Sequence, residues 1–580
     1  GGNRGRGGRG AASQGDSAIP PMARKPPSAI TGPLDPRRFD GMHITDTRYK
    51  ANGRGFVPST GRGNQPSGDP SPMQIFIDRK DGAGRQALTN TGYSHRSVQV
   101  SPDGKWIAFV ADRERRSDAE VQALRESIQK LAPGERLTAS REQLQSDLFL
   151  ISPAGGDPVR IEVPGNESNL EWSPDSRMIA LRTNYGQFTR TEVRLVDVET
   201  RTHRSLTGEL RGDPGSFDWL PNGDLLLQAT LGGRNAVFRV QPSTGAMKEI
   251  IGGARRLAGV SYDKARTKAA FVATTVDRPT ELFIADLATG QERQLTHFNK
   301  ALNEEIAWST RERFTFKSVG DLEIEAWLLR PYGYEPGRKY PLVLYIHGGP
   351  HSAYTEGWFD EFHNLAAAGM WVLYTNPRGS SGYGGDFTYS TRERWGMEDY
   401  EDLMKAVDLA IQRPDVDATR LGVTGGSYGG FMTAWITTKT DRFKAAQTDR
   451  MISNWVSWYG ISDSQGLTEG EFGGTPWERW DLYIDLSPIK YANKVKTPTL
   501  IVQSEEDHRT PMADAEQWFM ALKKHDVPVE FIRYPRSTHD LSRTGEPWLL
   551  TDRLHRLRQW FTHWLIEDGK PSMTTTSEVR

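Results

Sequence analysis

The chain has 580 residues, too many for a single hydrophobic core, so we expect two domains with tails. Its 73 Lys and Arg residues are balanced by 74 Asp and Glu residues, which argues against a general attraction to nucleic acid or to a membrane surface. No stretch approaches the ~18 apolar residues of a membrane span. The absence of cysteine excludes disulfides, thiolate metal sites and a cysteine nucleophile.

Both ends of the chain have the composition of disordered segments. Residues 1–70 are rich in Gly, Pro, Ser and Arg, and residues 569–580 form a polar tail. An Arg/Gly tract can bind RNA, but this one lacks interleaved aromatic residues, so a flexible basic tail is the favoured interpretation. The chain begins with Gly1, and we expect either a cytoplasmic or an exported, periplasmic location.

Residues 71–311 contain a repeat that predicts an all-β propeller domain. An apolar strand, an Asp or Ser, a turn and a basic strand that ends near Leu-Thr make one unit, and most units begin about 45 residues apart. A second motif, Ser-Pro-Asp or a close variant, lies between them and supplies tight turns. This period, with four short strands per unit, is typical of propeller blades. Five units begin, in chain order, at Ile75, Leu148, Val193, Val237 and Leu282.

The first repeat is too long by about one helix. The surplus, residues 112–145, is charged, rich in helix formers and interrupted by Pro133-Gly134. We interpret it as a helical insertion on the propeller rim, which either decorates the surface or lines the route to an active site.

Residues 312–568 change to strand–helix alternation, which predicts a mostly parallel sheet with helices on both faces. A hairpin is expected near Phe314 and Leu322. The predicted strands begin at Leu342, Met370, Leu421, Thr499 and Val529, and the predicted helices cover 398–412, 513–525 and 547–566.

A nucleophile-elbow pattern, Gly425-x-Ser427-x-Gly429, follows one of these strands. The sharp strand-to-helix turn holds its central residue in a strained conformation, and flanking glycines leave room for it. The turn would expose the Ser427 hydroxyl and aim the backbone N–H of Tyr428 at a substrate carbonyl. An ordinary Gly-rich turn is the alternative.

A serine nucleophile needs a base, and the base needs an orienting acid. The order expected for an α/β-hydrolase is Ser, then Asp or Glu, then His. His539 leaves the last predicted strand and precedes the final helix, whereas other candidates, such as His525 and His555, lie at the end of a helix or within one. Three consecutive acids follow the preceding strand, and the pattern leaves the choice among them open: Glu505, Glu506 and Asp507.

The second oxyanion donor is expected in a loop after an early strand. His347-Gly-Gly-Pro350 stands there, and its glycines would let backbone amides approach a substrate. Taken alone, this segment would favour a plain Gly-Pro turn.

These segments resemble the prolyl oligopeptidase (S9) family of serine peptidases, in particular its acylaminoacyl-peptidase-like branch. The resemblance covers about residues 312–566 and rests on seven segments: 347–350, 376–384, 395–403, 425–430, 472–477, 507–511 and 534–539. It implies an α/β-hydrolase catalytic domain preceded by a propeller. It also implies Ser427 as nucleophile, His539 as base and Asp507 as acid.

The same resemblance implies further site residues. The amides of Gly349 and Tyr428 would form the oxyanion hole, and Arg509 would hold a substrate carbonyl or carboxylate. The residues expected to line an apolar pocket for the substrate side chain are Tyr428, Trp455, Val456, Phe472 and Trp477.

The chain departs from the family pattern in three places. Gln503-Ser504 stands where relatives have His-Gly, which would alter packing beside Asp507. The propeller has fewer units than the common seven blades. No Glu-Glu pair on a short propeller helix is evident, which weakens a dipeptidyl-peptidase interpretation.

The sequence therefore predicts a serine peptidase that hydrolyses short peptides through an acyl-enzyme, with no metal or organic cofactor. The propeller would cap the cleft and exclude folded proteins. A dipeptidyl-peptidase and an esterase are the enzymatic alternatives, and an inert propeller binding protein is the third. We expect short peptides as partners, neither nucleic acid nor membrane, and leave homo-oligomerisation open.

Overall fold

The computed structural model of the protein describes residues 50–51, 55–56, 73–78, 84–90, 94–112, 130, 146–184 and 190–569. The predicted disordered segment 1–70, the helical insertion 112–145 and the tail 569–580 lie almost entirely outside these residues. The few described residues of the first segment form a short strand pair, β1 (Lys50–Ala51) and β2 (Gly55–Phe56).

The described residues before 300 form antiparallel sheets that follow one another along the chain. A two-stranded sheet, β3 (Phe76–Asp78) and β4 (Arg85–Ala87), is followed by four sheets of four strands each. Their strands are β5–β8 (His95–Val100, Ile107–Asp112, Ser146–Ile151, Val159–Ile161), β9–β12 (Asn166–Trp172, Met178–Asn184, Thr191–Asp197, His203–Ser205), β13–β16 (Asp213–Trp219, Leu225–Leu231, Arg234–Val240, Met247–Ile251) and β17–β20 (Arg256–Tyr262, Lys268–Thr275, Arg278–Asp286, Glu292–Gln294).

The sequence repeat has a structural cause in these sheets. Each repeat begins at the third strand of a four-stranded sheet, or at β3 in the two-stranded sheet. The Thr of the Leu-Thr signature accepts a hydrogen bond from the backbone N–H near the start of that strand, as in Val193 N to Thr207 Oγ1 and Leu282 N to Thr296 Oγ1, both 2.9 Å. Where the signature is present, at Thr89, Thr207 and Thr296, it ties the outer strand of the sheet to its neighbour.

Successive sheets are linked by side chains of the second motif. The indole of Trp172 donates to the carbonyl of Gln99 in the preceding sheet at 3.3 Å, and the indole of Trp219 donates to Glu171 at 3.0 Å. This succession is consistent with a β-propeller, but the described residues do not form a closed ring. In the fourth sheet Asp263 makes the turn that Ser-Pro-Asp makes elsewhere, and it accepts from the backbone of Thr267 and Lys268 at 2.7 Å.

The C-terminal half contains one eight-stranded sheet. Its strand order is β21-β22-β24-β23-β25-β26-β27-β28. The first two strands form the predicted hairpin, β22 runs antiparallel to β24, and all later pairs are parallel. The strands are β21 (Arg311–Lys317), β22 (Glu323–Leu329), β23 (Tyr340–Ile346), β24 (Trp371–Asn376), β25 (Val416–Gly426), β26 (Ala445–Asp449), β27 (Thr499–Ser504) and β28 (Val529–Tyr534).

Alternating strand residues build a core on each face of this sheet. Leu342, Leu344 and Ile346 of β23 pack into the cluster that includes the helices over 398–410 and 428–439, whereas Val343 and Tyr345 pack into the cluster that includes the helices over 360–367 and 547–565. The described helices are α1 (Lys300–Glu305), α2 (Asp360–Ala367), α3 (Gly385–Tyr389), α4 (Glu398–Ala410), α5 (Tyr428–Lys439), α6 (Trp455–Ile461), α7 (Gln465–Phe472), α8 (Trp480–Asp485), α9 (Met512–Lys524), α10 (Leu541–Thr544) and α11 (Pro547–Leu565). Among them, none is both long and apolar enough to cross a membrane.

Candidate active site

Ser427 lies at a sharp turn between β25, which ends at Gly426, and α5, which begins at Tyr428. Its backbone has φ 61° and ψ −121°, in the region that residues with a side chain rarely adopt. The Ser427 N–H is directed at the carbonyls of Asp449 (3.0 Å) and Arg450 (3.1 Å), which follow the neighbouring strand. These contacts hold the strained residue in place, and such strain is typical of functional positions.

The flanking glycines are required by a close approach of α5 to β23. A Cβ atom on Gly429 would lie 2.2 Å from the carbonyl oxygen of Ile346, and one on Gly425 would lie 2.5 Å from the same oxygen. A side chain at Gly429 would require α5 to move away from β23, and one at Gly425 would require β25 to move relative to β23. The spacing of the elbow motif therefore reflects backbone packing as well as turn geometry.

The structure brings Ser427, His539 and Asp507 into one hydrogen-bonded chain. His539 Nε2 lies 3.1 Å from Ser427 Oγ, and His539 Nδ1 lies 2.8 Å from Asp507 Oδ2. The three residues follow strands β25, β28 and β27, whose carboxyl ends meet at one edge of the sheet. In this arrangement the imidazole can take the hydroxyl proton while the carboxylate fixes its tautomer.

Asp507 is the acid that the fold presents to His539. It is 2% exposed, whereas Glu505 and Glu506 lie on the surface. The backbone N–H groups of Arg509 (2.9 Å) and Thr510 (2.8 Å) donate to its Oδ1 atom.

Two residues not expected from the sequence also hold Asp507. Thr510 Oγ1 donates to Asp507 Oδ2 at 2.8 Å and lies 3.2 Å from His539 Nδ1. Gln503, one of the departures from the family pattern, donates through Nε2 to Asp507 Oδ2 at 3.3 Å and to the Thr510 carbonyl at 2.6 Å. Thr510 stands inside the Asp507-His-Arg-Thr-Pro motif, which was the signal that could have identified it.

The predicted oxyanion donors both border a cavity beside Ser427. Gly349 has φ 121° and precedes a cis peptide bond to Pro350. Tyr428 is the first residue of α5, where a backbone N–H has no partner within the helix. The Tyr428 side chain points away, into the core, and its hydroxyl donates to Asp399. Burial raises the pKa of that carboxyl to about 6.

The cavity has a volume of about 460 Å³ and an apolar wall on one side. Arg509 is part of its lining, and its Nε atom donates to Asp463 at 2.6 Å. The apolar wall is made by Trp395, Ile452, Trp458 and Leu467.

Of the five pocket residues expected by resemblance, Tyr428 borders this cavity and the other four do not. Trp455 and Phe472 are fully buried behind Trp395, with ring centroids 5.2 and 5.5 Å from it. Val456 packs at the edge of the same core, and Trp477 is 78% exposed. For Trp455 the difference arises because α6 turns Trp458, one helical turn later, toward the cavity and Trp455 toward the core.

Comparison with known families identifies this domain. Residues 358–568 match the family described as "Prolyl oligopeptidase family" (Peptidase_S9). The C-terminal domain is an S9 peptidase domain. The α/β-hydrolase architecture that this family implies agrees with the mostly parallel sheet and its two helical layers.

Curated relatives of the S9 domain carry peptidase names. The chain is 46% identical over 290 residues to "Uncharacterized peptidase YuxL" of Bacillus subtilis, covering 50% of this chain and 44% of that protein. It is 34% identical over 231 residues to "Acylamino-acid-releasing enzyme" of Rattus norvegicus, covering 38% of this chain and 31% of that protein. It is 28% identical over 464 residues to "Probable dipeptidyl-peptidase 5" of Aspergillus terreus, covering 76% of this chain and 61% of that protein. The chain thus spans less than two thirds of each of these relatives.

A solved structure shows the same fold over a larger share of the chain. "Pyrococcus horikoshii acylaminoacyl peptidase" superposes with a TM-score of 0.63 at 22% identity, and covers 87% of this chain and 86% of that one. The likeness therefore extends beyond the S9 domain to the region of antiparallel sheets.

A buried ion network supports the turn that carries Ser427. Arg553 of α11 donates to both carboxylate oxygens of Glu361 at 3.0 and 3.1 Å and to Asp449 at 2.7 Å. The nearby arginines hold the pKa of Asp449 below its usual value despite complete burial. Because the Asp449 carbonyl accepts from Ser427 N, this network anchors one side of the elbow.

Proposed function

We propose that the protein is a serine peptidase that hydrolyses short peptides, of the acylaminoacyl-peptidase or oligopeptidase type. The observation that carries this proposal is the hydrogen-bonded chain of Ser427, His539 and Asp507 beside a cavity with an apolar wall. The relatives whose names include a peptidase and an acylamino-acid-releasing enzyme also support this proposal.

In this mechanism Ser427 Oγ attacks the scissile carbonyl carbon while His539 takes its proton. Asp507 holds the imidazole tautomer and stabilises the imidazolium. The oxyanion is bound by the amides of Gly349 and Tyr428. His539 then protonates the leaving amine as the C–N bond breaks, and water, activated by the same histidine, releases the acyl group.

The side-chain pocket of the substrate would be the apolar wall rather than the residues first expected. An acyl-side residue would contact Trp395, Trp458 and Leu467, and Arg509 would bind a substrate carbonyl. The Arg509 side chain is 42% exposed, so part of it can face a ligand, while its partner Asp463 is buried.

We also propose the domain organisation and the finer fold. Residues 71–311 would form a β-propeller and residues 312–568 the α/β-hydrolase domain, with the propeller capping the cleft. The contacts that support this arrangement join loop 377–384 of the catalytic domain to the third four-stranded sheet, β13–β16. There Gly382 N donates to Asp213 Oδ2 at 2.6 Å. A cap of this kind would admit short peptides and exclude folded proteins.

A dipeptidyl-peptidase is the second candidate, because the relative with that name covers 76% of this chain. A matched panel of chromogenic substrates separates the two: N-acetylated amino-acid amides, free dipeptide amides, a blocked longer peptide and a short acyl ester. The proposal predicts faster turnover of the acetylated or blocked amides. Preference for the free dipeptides would favour the second candidate, and cleavage of the ester alone would contradict both.

A further inference from the structure

A second cavity opens from the space beside Ser427. It has a volume of about 270 Å³ and shares four lining residues with the active-site cavity: Gly348, Ser352, Arg450 and Arg543. A Cβ atom built on Gly348 would lie 3.9 Å from Ser427 Oγ, so the shared wall is next to the nucleophile. A substrate attached at Ser427 therefore has direct access to both cavities.

The two cavities differ in chemistry, and this assigns them to different parts of a substrate. The apolar wall around Trp458 suits a side chain on the acyl side. Arg543, shared with the second cavity, lies on α10, just after His539. If the acyl-side residue occupies the first cavity, the second cavity, which opens beside Ser427 Oγ, remains for the leaving segment.

Three guanidinium groups line the second cavity: Arg256, Arg450 and Arg543. Arg256 is an exposed residue of β17 in the fourth sheet, and in the described part of the chain it forms no ion pair. Arg450 and Arg543 contact Asp449 and Asp540, neither of which lines the cavity.

Glu361 is the one carboxylate among the described residues that line the second cavity. It is 3% exposed, and both of its oxygens accept hydrogen bonds from Arg553. Its charge is therefore compensated by a residue outside the lining. The charged groups left on the cavity wall are guanidinium donors, beside the hydroxyl groups of Ser352, Tyr354 and Thr355. Guanidinium groups are best satisfied by a carboxylate.

The rest of the wall is aromatic and is tied to the fourth sheet. Tyr354, Phe359 and Phe362 pack against one another with ring centroids 4.7 to 6.0 Å apart. Trp358 N donates to Thr274 Oγ1 at 3.1 Å, which fixes this segment against the strand next to Arg256. An aromatic wall lowers the local dielectric and strengthens the attraction between a carboxylate and the arginines.

We propose that this second cavity, the basic subsite, binds the terminal carboxylate of the leaving segment. The enzyme would then prefer short peptides with a free C-terminus over the same peptides with a neutral end. This inference rests on the proposed peptidase function and names its substrate class. When the C–N bond breaks, the leaving amine takes the proton carried by His539, and the free carboxylate remains bound to arginine until the product departs.

The test compares two blocked peptides that differ only at the C-terminus, one a free acid and one an amide. Both peptides carry the same N-acetylated acyl part, chosen as the one whose p-nitroanilide the enzyme hydrolyses fastest. We expect kcat/KM for the acid to exceed that for the amide about tenfold, the size expected for hydrogen bonds to a charged group. Arg256→Gln should lower this ratio about fivefold, and Arg256→Glu should lower it further. Added salt should lower it in the wild type.

Arg204→Gln is the matched control, because Arg204 is an exposed arginine of β12, in the second sheet, and lines neither cavity; it should keep the wild-type ratio. A wild-type ratio of one or less, or an unchanged ratio in both Arg256 variants, would overturn the basic subsite. If the enzyme hydrolyses the p-nitroanilide but hydrolyses the two peptides at equal rates, the basic subsite is refuted and the proposed function is not. Failure to hydrolyse any of the three substrates refutes the proposed function itself.

Discussion

At the scale of single residues, the environment of Asp507 decides which acid serves His539. Its carboxylate accepts from two backbone N–H groups, from Thr510 Oγ1 and from Gln503, so it is held as an acceptor beside His539 Nδ1. Glu506, its neighbour in sequence, is exposed. A negative charge at Asp507 therefore fixes the imidazole, and one at Glu506 does not.

Asp507→Asn should reduce kcat on the order of 10⁴-fold, because the amide can donate to His539 and favour the wrong tautomer. Glu506→Gln should leave kcat nearly unchanged. Steady-state kinetics on the best chromogenic amide, with thermal melting to verify folding, measures both effects. A larger loss in Glu506→Gln than in Asp507→Asn would contradict the assignment.

The candidate site was partly predictable from the sequence, and the failures have a physical cause. The order Ser427, Asp507, His539 follows from a chain that places polar residues after successive parallel strands. The pocket was not predictable, because whether Trp455 or Trp458 faces the cavity depends on the rotation of α6. Nothing in the sequence places Arg256 in the proposed basic subsite, since it belongs to the antiparallel sheet β17–β20, far along the chain from Ser427.

A buried carboxyl in α9 makes stability depend on pH. Asp514 is fully buried and accepts from the backbone N–H groups of Ser453 and Asn454 at 3.0 Å. Burial raises its pKa to about 7 from the value of 3.8 expected in the unfolded chain. The stabilisation contributed by protonated Asp514 is therefore fully present below about pH 4. It is lost as the pH rises to about 7.

Asp514→Asn keeps an acceptor for the same two N–H groups without the ionisable proton. The variant should melt at a higher temperature than the wild type at about pH 8, with an advantage that disappears toward about pH 4. Melting curves across this range measure the difference. A difference that stays constant with pH, or that grows as the pH falls, would contradict the raised pKa of Asp514.

At the scale of elements, the contact between α5 and β23 sets the position of the nucleophile. Gly429→Ala would place a methyl group against the Ile346 carbonyl, and overlap of this kind costs about 3 kcal/mol or more. We expect a large drop in melting temperature and loss of activity. Gly466→Ala, at an exposed position of α7 where a Cβ meets nothing within 4 Å, should be neutral or slightly stabilising. Equal melting temperatures and activities of the two variants would contradict the proposed close packing of α5 against β23.

Most elements of the catalytic domain were predictable because their strands are apolar runs and their helices are amphipathic. The strand β26 (Ala445–Asp449) was not, although all five of its residues are buried. Its sequence, Ala-Ala-Gln-Thr-Asp, has polar residues where a central strand normally has apolar ones. The strand nevertheless matters, because it leads directly to the carbonyls that bind Ser427 N.

At the scale of the whole molecule, the third four-stranded sheet (β13–β16) contacts the loop that packs against segment 347–349. Asp213 Oδ2 accepts from Gly382 N, and Gly232 N donates to the Gly382 carbonyl at 2.6 Å. In the same loop Ser380 Oγ lies 2.9 Å from His347 Nε2, directly before Gly348 and Gly349. The region of antiparallel sheets is therefore coupled to the catalytic machinery through a short chain of contacts.

Asp213→Ala should lower kcat about tenfold, the effect of losing one hydrogen bond to a charged group, without abolishing folding. Glu209→Ala, at an exposed position just before the third sheet, is the control and should behave as the wild type. Kinetics and melting curves of both variants provide the measurement. An unchanged kcat in Asp213→Ala would show that this contact does not support the oxyanion loop.

The central claim is that Ser427 is the nucleophile of a peptidase, and one paired measurement tests it most directly. The wild type and Ser427→Ala are each given the blocked amide substrate and then a fluorophosphonate label, with peptide mapping. We predict turnover and labelling of Ser427 in the wild type, and loss of both in a variant that melts at a similar temperature. Full residual turnover in Ser427→Ala, or a label on another residue, would contradict the account.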